Sequence, residues 1–179
     1  MIRLFVALAL PQTIQLQLST LTGGVPCARW VKPENLHSTL RFIGEVENSV
    51  ADDIDATLTG LSAIPLDLSL SSVGFFGKAD WSRQLWAGVT LSDALIHLQA
   101  KIEVAIVRAG LPAEQRRFSP HVALARLKRT PAVRVEQFVA ENAGIRACPI
   151  KIDRFTLFSS FLSSSGAIHT PEAEYPLHG

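Results

Sequence analysis

The feature that most constrains the fold of this chain is a short pattern that occurs twice, 84 positions apart. The first copy is His37-Ser38-Thr39-Leu40 and the second is His121-Val122-Ala123-Leu124. The segments around both copies follow the same order of strand-like and helix-like runs, so the repeat covers nearly the whole chain. The sequence therefore predicts two halves of equivalent architecture.

Hydrophobic periodicity predicts a β-α-β-α-β order in each half. In the first half the predicted strands are residues 2–10, 36–46 and 66–76, and the predicted helices are 12–21 and 50–61. In the second half the predicted strands are 84–91, 121–127 and 149–160, with helices at 93–108 and 133–142. The serine-rich run 159–166 is predicted to be a mobile turn into a last strand near 167–175.

The fold class predicted from this repeat is α+β, with two antiparallel sheets flanking a central cleft and the helices outside. A doubly wound parallel sheet explains the matching histidine strands less well. At 179 residues, of which 47% are hydrophobic, the chain can bury one sizeable core. We expect a single domain over residues 1–179, with pseudo-repeats of about 1–80 and 81–179.

Cysteine usage and the first residues bear on the compartment. Cys27 and Cys148 are far apart and form no CxxC or zinc-like pattern, so we expect reduced thiols of a cytosolic protein. Residues 1–10 are interpreted as a buried strand rather than a secretory signal, because no small-residue cleavage site follows. No apolar run is long enough to span a membrane, and we expect a cytoplasmic protein.

Alternation along the first histidine strand suggests a phosphate site. Residues two apart on a strand share a face, so His37, Thr39 and Arg41 should point together. Histidine can transfer a proton near neutral pH, a threonine hydroxyl can donate to a phosphate oxygen, and arginine can pair with its charge. The alternative is an exposed polar strand face without a function.

Two histidines from equivalent places can serve as a general acid and a general base without a metal or a nucleophilic side chain. His121 also lies within a basic segment that contains no acidic residue, from Arg116 to Arg129. This segment could attract an anionic substrate or could be a solvated basic face. The acidic group Asp52, Asp53 and Asp55 falls on a predicted exposed helix, so we expect neither a metal site nor a cofactor.

Three segments together resemble the 2H phosphoesterase superfamily, and within it the RNA 2′,3′-cyclic phosphodiesterase branch, also labelled 2′-5′ RNA ligases. They are residues 3–7 (RLFVA), 33–46 (PENLHSTLRFIGEV) and 118–126 (FSPHVALAR). The resemblance implies a bilobal α+β fold with pseudo-twofold symmetry, in which each lobe brings one His-x-[Ser/Thr]-x motif to a central cleft. It also implies hydrolysis of a 2′,3′-cyclic phosphate at an RNA end to a 2′-phosphate, and some members join or cut 2′-5′ linkages.

The resemblance assigns roles to four residues. His37 would protonate the leaving 3′ oxygen and His121 would deprotonate water, although the sequence itself does not distinguish acid from base. Thr39 would bind the substrate phosphate. Arg126 would also bind phosphate, because arginine recurs five residues after the second histidine in the family. Strict alternation places Arg126 on the opposite strand face, so that role requires a bulge or a position at the end of the strand.

One position departs from the family pattern. Ala123 stands where threonine or serine is usual, so a hydroxyl contact worth about 1.5–3 kcal/mol is absent. Weaker activity, an altered substrate preference, or an RNA-end binding module without turnover are the alternatives that follow. A phosphodiesterase acting on another small 2′,3′-cyclic or 2′-5′-linked nucleotide, or a metal-dependent phosphoesterase, also remains open.

Other aromatic and imidazole side chains are given simpler interpretations. Phe42 could stack on a base but is expected in the core. His169 and His178 are interpreted as parts of a C-terminal tail. We expect a monomer whose partners are RNA ends or small cyclic nucleotides, with no membrane contact and no obligate protein partner.

Overall fold

The computed structural model describes residues 1–77, 83–147, 149–164 and 166–178. Cys148 and the predicted boundary between residues 80 and 81 lie outside this part of the chain. The helices are α1 (Gln12–Ser19), α2 (Asn48–Thr59), α3 (Asp93–Arg108) and α4 (Ala132–Glu141). The strands are β1 (Ile2–Ala9), β2 (Arg29–Trp30), β3 (His37–Val46), β4 (Leu66–Leu68), β5 (Leu70–Phe76), β6 (Gln84–Val89), β7 (His121–Arg126), β8 (Ile150–Ile152), β9 (Arg154–Ser163) and β10 (Gly166–Pro176).

The strands form antiparallel sheets, and the predicted α+β class is confirmed. The main sheet has the order β10-β9-β1-β3-β7-β6-β5, with β2 beside β7, and a small sheet joins β4 to β8. One part of this sheet, β10-β9-β1-β3, meets the other part, β7-β6-β5, where β3 lies beside β7. Within the described residues, one residue pair joins these two strands, Ser38 and Val122. The main sheet therefore consists of two antiparallel halves that join at the histidine strands.

Two strand pairings show the approximate twofold symmetry directly. Ser38 pairs with Val122 where β3 meets β7, and Asp67 pairs with Lys151 where β4 meets β8. Both pairs join residues that are 84 positions apart, so each strand meets its own equivalent from the other repeat. A pseudo-twofold axis consequently passes through both contacts.

The two halves of the sheet are not the two halves of the chain. The first strand of the chain, β1, pairs with β9, and β6 pairs with β5. Each sheet half therefore contains strands from both repeats, which ties the repeats together through backbone hydrogen bonds as well as through the core. Strand β10 extends only the half that contains β3.

Helix α3 shows how the sequence builds the outer layer. Ser92 caps its first turn by accepting a hydrogen bond from the Leu95 backbone N–H at 3.2 Å. Leu95, Leu98 and Ile102 recur at helical spacing and are buried, each worth about 1.5–3 kcal/mol of apolar transfer. The helix ends before Gly110, whose φ of +93° suits glycine.

The prediction of a mobile turn over residues 159–166 is wrong for most of that run. Strand β9 continues to Ser163, and Ser159 and Ser160 pair with residues of β10. Serine tolerates an exposed strand position, so backbone pairing outweighed the turn-like composition. Among the described residues, no helix combines the length and apolar character required to cross a membrane.

Candidate active site

The two histidines are held by identical backbone contacts. Nδ1 of His37 lies 2.7 Å from the Asn35 carbonyl oxygen, and Nδ1 of His121 lies 2.8 Å from the Ser119 carbonyl oxygen. A carbonyl can only accept a hydrogen bond, so each Nδ1 carries the proton and donates it. In each neutral ring Nε2 is then left as the basic nitrogen.

The strand crossing places both rings on one face of the sheet. Ser38 and Val122 form the pair between β3 and β7, and both are fully buried. The preceding residues, His37 and His121, point to the opposite, accessible face because side chains alternate along strands. The positive charge of His121 contributes to lowering the pKa of His37, so the two rings are close enough to interact.

Thr39 and Ala123 complete this face. Each follows its histidine by two residues and is partly exposed, as the histidines are. Extending the antiparallel register by one residue from the pair of Ser38 and Val122 brings Thr39 toward His121 and Ala123 toward His37. The hydroxyl supplied by the first motif therefore lies on the His121 side, and the second motif supplies only the methyl group of Ala123 on the His37 side.

A β-bulge follows in both histidine strands. Ala7 and Val6 pair with Thr39 and Arg41, which leaves Leu40 as an extra residue in β3. Trp86 and Leu85 pair with Ala123 and Ala125 in the same way, which leaves Leu124 extra in β7. A bulge reverses the alternation that follows it. Phe42 and Arg126, each five residues after a histidine, are consequently exposed on the histidine face.

The bulge overturns the prediction that Arg41 shares a face with His37. Arg41 is buried, and its Nε lies 2.7 Å from Oε2 of Glu103 on α3. It also donates to the carbonyl oxygen of Pro112 at 2.6 Å. Arg41 therefore binds α3 and the loop that follows it, and its side chain does not face the cleft. The interpretation of Phe42 as a core residue is likewise wrong, because 41% of its surface is exposed.

His37 lies among aromatic rings. The ring centroid of Phe5 is 4.8 Å away, that of Phe158 is 6.1 Å away, and that of His169 is 5.1 Å away in an edge contact. Burial among these groups lowers the pKa of His37 to about 4, with smaller contributions from the charges of His169 and His121. His37 is therefore neutral in the free protein at pH 7.

His121 has more open surroundings. Its ring makes an edge contact with Phe76 at 4.8 Å, and Phe76 contacts Trp86 at 5.4 Å. These three side chains line a cavity of about 470 Å³, whose wall also includes Arg117 and Ser72. Trp86 lies across Gly74, where any Cβ atom would overlap its ring. The cavity combines flat aromatic surfaces with a cation, which suits a nucleotide.

Only some of the cations in the basic segment around His121 are available to bind an anionic substrate. Arg116 forms an ion pair with Glu114 at 2.9 Å. Arg117 contributes to the cavity, and the charge of Arg126 lowers the pKa of His169, so Arg126 faces the cleft. Within the described residues no group of three or more histidine, cysteine or acidic side chains is arranged to hold a metal ion.

A family model described as LigT-like phosphoesterase matches the chain twice, over residues 8–86 and 89–169. The chain belongs to the LigT-like phosphoesterase family. The two matches correspond to the two repeats, each with one histidine motif, and the predicted relation to the 2H phosphoesterases is confirmed.

Individual relatives agree with this assignment. The chain is 31% identical over 150 residues to an RNA 2′,3′-cyclic phosphodiesterase of Aeropyrum pernix, covering 82% of this chain and 84% of the relative. TT0787 of Thermus thermophilus has the same fold, with a TM-score of 0.81 at 24% identity over 99% of this chain and 98% of that protein. LigT of E. coli, crystallised with 3′-AMP, aligns with a TM-score of 0.77 at 23% identity over 99% of each chain.

Sequence reasoning missed several side chains of this LigT-like cleft. His169 falls in the strand predicted near 167–175, but its interpretation as part of a C-terminal tail gives it no role, whereas in β10 it lies opposite Ser160 and its ring contacts His37. Phe5 lies in the RLFVA segment, to which no functional role is assigned, and Phe76 and Trp86 come from strands without a motif of their own. The strand exchange brings Phe158 beside Phe5 at 5.2 Å, a proximity that no local pattern encodes.

Proposed function

We propose that this LigT-like phosphoesterase hydrolyses the 2′,3′-cyclic phosphate at an RNA end and leaves a 2′-phosphate, with His37 and His121 as acid and base. The observation that supports it is the pair of imidazoles anchored through Nδ1 at equivalent positions of β3 and β7. Both Nε2 atoms are thereby available on one sheet face for proton transfer.

The reaction needs groups on two sides of the phosphorus. Water attacks roughly in line with departure of the 3′ oxygen. In the assignment implied by the resemblance, His121 takes a proton from water as the new P–O bond forms. His37 gives its proton to the 3′ oxygen as the old bond breaks. The new bond forms on one side of the phosphorus and the old bond breaks on the other. Two imidazoles related by a twofold axis can serve these two sides.

The lowered pKa of His37 sets a condition on its role as the acid. Shifting the pKa from 6.5 to about 4 corresponds to about 3 kcal/mol against the charged form. A phosphate monoanion about 4 Å away contributes roughly 4 kcal/mol in its favour at an effective dielectric constant of about 20. The two effects are of similar size, so substrate binding can restore the proton to His37.

Thr39 and Arg126 are proposed to bind the phosphate. Thr39 lies on the histidine face beside His121, where its hydroxyl can donate to a non-bridging oxygen. Arg126 is brought to the same face by the bulge at Leu124 and remains exposed. Its guanidinium can pair with the negative charge that persists through the reaction.

The substrate class is inferred from the cavity beside His121. Phe76, Trp86 and Arg117 offer stacking surfaces and a cation outside the histidine pair, enough for a further nucleotide of a polymer. The names of relatives, RNA 2′,3′-cyclic phosphodiesterase, and the 3′-AMP in the E. coli LigT crystal support nucleotide chemistry. Joining of 2′-5′ linkages would use a ribose hydroxyl in place of water.

One observation favours a second function, an RNA-end binding module with little turnover. In this second function no other donor replaces the hydroxyl that Ala123 lacks on the His37 side of the cleft, and phosphate binding during reaction is weaker. A wild-type protein that binds a cyclic-phosphate RNA tightly and leaves it unchanged would identify this function. Turnover of 2′,3′-cyclic AMP but not of RNA would instead identify a phosphodiesterase of small cyclic nucleotides.

The decisive experiment measures hydrolysis of 2′,3′-cyclic AMP and of a short RNA with a cyclic-phosphate end, with EDTA present. His37→Ala and His121→Ala should each lower the rate by about 10²-fold or more, the scale of a lost acid or base. His97→Ala, on the exposed surface of α3, is the control and should leave the rate unchanged. Activity abolished by EDTA in the wild type would overturn catalysis by two histidines alone.

The remaining expectations are part of the same proposal. We propose a cytoplasmic protein that needs no cofactor. We also propose that it is a monomer, because one chain supplies both histidine motifs to one cleft. Sedimentation at the concentration used for the assay tests the oligomeric state. A dimer that loses activity on dilution would contradict the monomer.

A further inference from the structure

A third imidazole lies against the pair of histidines. The ring of His169 makes edge contacts with His37, at a centroid distance of 5.1 Å, and with Phe5, at 4.9 Å. His169 belongs to β10, the strand that extends only the half of the sheet containing β3. In the described part of the chain no other imidazole ring contacts His121, and the proposed acid and base roles do not use His169.

The two nitrogens of His169 have different surroundings. Nδ1 is buried and has no hydrogen-bond partner in the described part of the chain. A buried N–H without an acceptor is costly, so the ring proton is favoured on Nε2, on the accessible side of the half-buried ring. Burial and the charge of Arg126 both lower the pKa of His169, which keeps the ring neutral. His169 therefore presents a single N–H donor toward the cleft.

The position of this donor coincides with a missing one. The two motifs differ at the residue two positions after the histidine, which is Thr39 in the first repeat and Ala123 in the second. The register of β3 and β7 places Ala123 toward His37, and His37 is the histidine that His169 contacts. One side of the cleft thus has a hydroxyl and the other has an imidazole N–H.

We propose that Nε2–H of His169 donates a hydrogen bond to a non-bridging oxygen of the substrate phosphate, in place of the hydroxyl that Ala123 lacks. His169 is then a phosphate-binding residue on the His37 side. It pairs with Thr39 on the His121 side, so two unlike donors hold the two non-bridging oxygens. The inference rests on the proposed function for the identity of the substrate, a cyclic phosphodiester.

The first test is titration of wild type and three variants with inorganic phosphate by calorimetry. His169→Phe keeps a ring against Phe5 and His37 but removes the donor, and it should raise the dissociation constant roughly ten- to a hundred-fold. His169→Gln carries an amide N–H near the position of Nε2 and should stay within a few-fold of wild type. His169→Asn carries the same amide near the position of Nδ1 and should resemble His169→Phe.

A packing role predicts another pattern, in which His169→Phe binds phosphate like wild type and the two amide variants lose stability. That result would overturn the proposal, as would a wild-type protein that binds no phosphate. Equal thermal midpoints for wild type and His169→Phe would show that lost phosphate affinity does not come from unfolding.

The second test restores the hydroxyl. Ala123→Thr in the His169→Phe background should recover most of the lost kcat/KM, whereas Ala123→Thr alone should change it little, because the oxygen already has a donor. Additive effects of the two substitutions would contradict a shared role. The loss in His169→Phe should also be equal for 2′,3′-cyclic AMP and 2′,3′-cyclic UMP, since a loss that depends on the base would place His169 on the base instead.

Phosphate binding separates this proposal from the proposed function. If wild type hydrolyses no cyclic phosphate but its phosphate affinity falls in His169→Phe, the proposed function fails and the His169 contact stands. If wild type hydrolyses cyclic phosphates and His169→Phe leaves both phosphate affinity and kcat/KM unchanged, the His169 contact fails and the proposed function stands.

Discussion

The His37 side of the cleft and the His121 side hold their histidines with the same backbone bond but surround them differently. His37 is enclosed by Phe5, Phe158 and His169. His121 meets the edge of Phe76 and opens onto a cavity. The repeat fixed the backbone geometry of both sides, while the added strand β10 and the strand exchange made their environments unequal. Equivalent residues can therefore take opposite roles in proton transfer.

The largest expected effect separates those roles. An aryl phosphodiester with a nitrophenolate leaving group needs no acid, so His37→Ala should lose much less activity on it than the 10²-fold or greater loss on 2′,3′-cyclic AMP. His121→Ala should lose about as much on both substrates, because water must still be deprotonated. The opposite pattern would exchange the two roles.

The buried environment of His37 should also appear in stability. A pKa lowered from 6.5 to about 4 means that the unfolded chain binds a proton that the folded state rejects. The free energy of unfolding is not reduced by this group above pH 6.5, where His37 is neutral in both states. It falls by up to about 3 kcal/mol as the pH decreases from 6.5 to 4. His169 shifts in the same direction. Urea unfolding between pH 7 and 4 should show a shallower pH dependence for His37→Gln than for wild type.

Carboxylates with a lowered pKa, such as Glu114, change the stability only as the pH falls below their ordinary pKa of 4.5, and so in a lower pH window than His37. Identical slopes for wild type and His37→Gln between pH 6.5 and 4.5 would show that His37 is not buried in its neutral form.

The two residues that follow the bulges test the difference between phosphate and base contacts. Arg126→Gln should lower kcat/KM roughly ten- to a hundred-fold for every cyclic nucleotide, because it removes a charge-assisted contact to phosphate. Phe42→Leu should act on the base instead, with a larger loss for purine than for pyrimidine substrates. A base-dependent effect of Arg126→Gln would argue against its phosphate role.

The smallest expected effect concerns the cavity. Gly74→Ala would place a Cβ atom inside the ring of Trp86, which must then move away from β5. We expect a loss of about 1–3 kcal/mol in unfolding free energy, as for other overpacked sites. The substitution should also weaken the binding of RNA more than it weakens the binding of mononucleotides. Gly144→Ala meets nothing within 4 Å and is the matched control. Unchanged RNA binding in Gly74→Ala would remove the cavity from the substrate path.

The sequence was sufficient for the fold class, for most strands and helices in their order along the chain, and for the equivalent strand positions of His37 and His121, because these depend on periodicity and on a pattern that repeats. Strict alternation points Arg126 away from the cleft, and the bulge at Leu124 turns it to the histidine face. Arg41 and Phe42 were misplaced for that reason: one extra residue at Leu40 exchanged their faces. His169 was missed because its contact with His37 arises from strands far apart in the chain, and no local spacing reports such a contact.

The exchange of strands between the repeats has a consequence for folding. Phe5 of β1 pairs with Phe158 of β9, near the other end of the chain. The half of the sheet that holds His37 therefore forms only when one of the longest loops possible in this chain closes. Pairings of such high sequence separation slow folding, because chain entropy is lost before the contact stabilises anything. We therefore expect the aromatic enclosure of His37 to form late in folding, and the recovery of its lowered pKa would time that step.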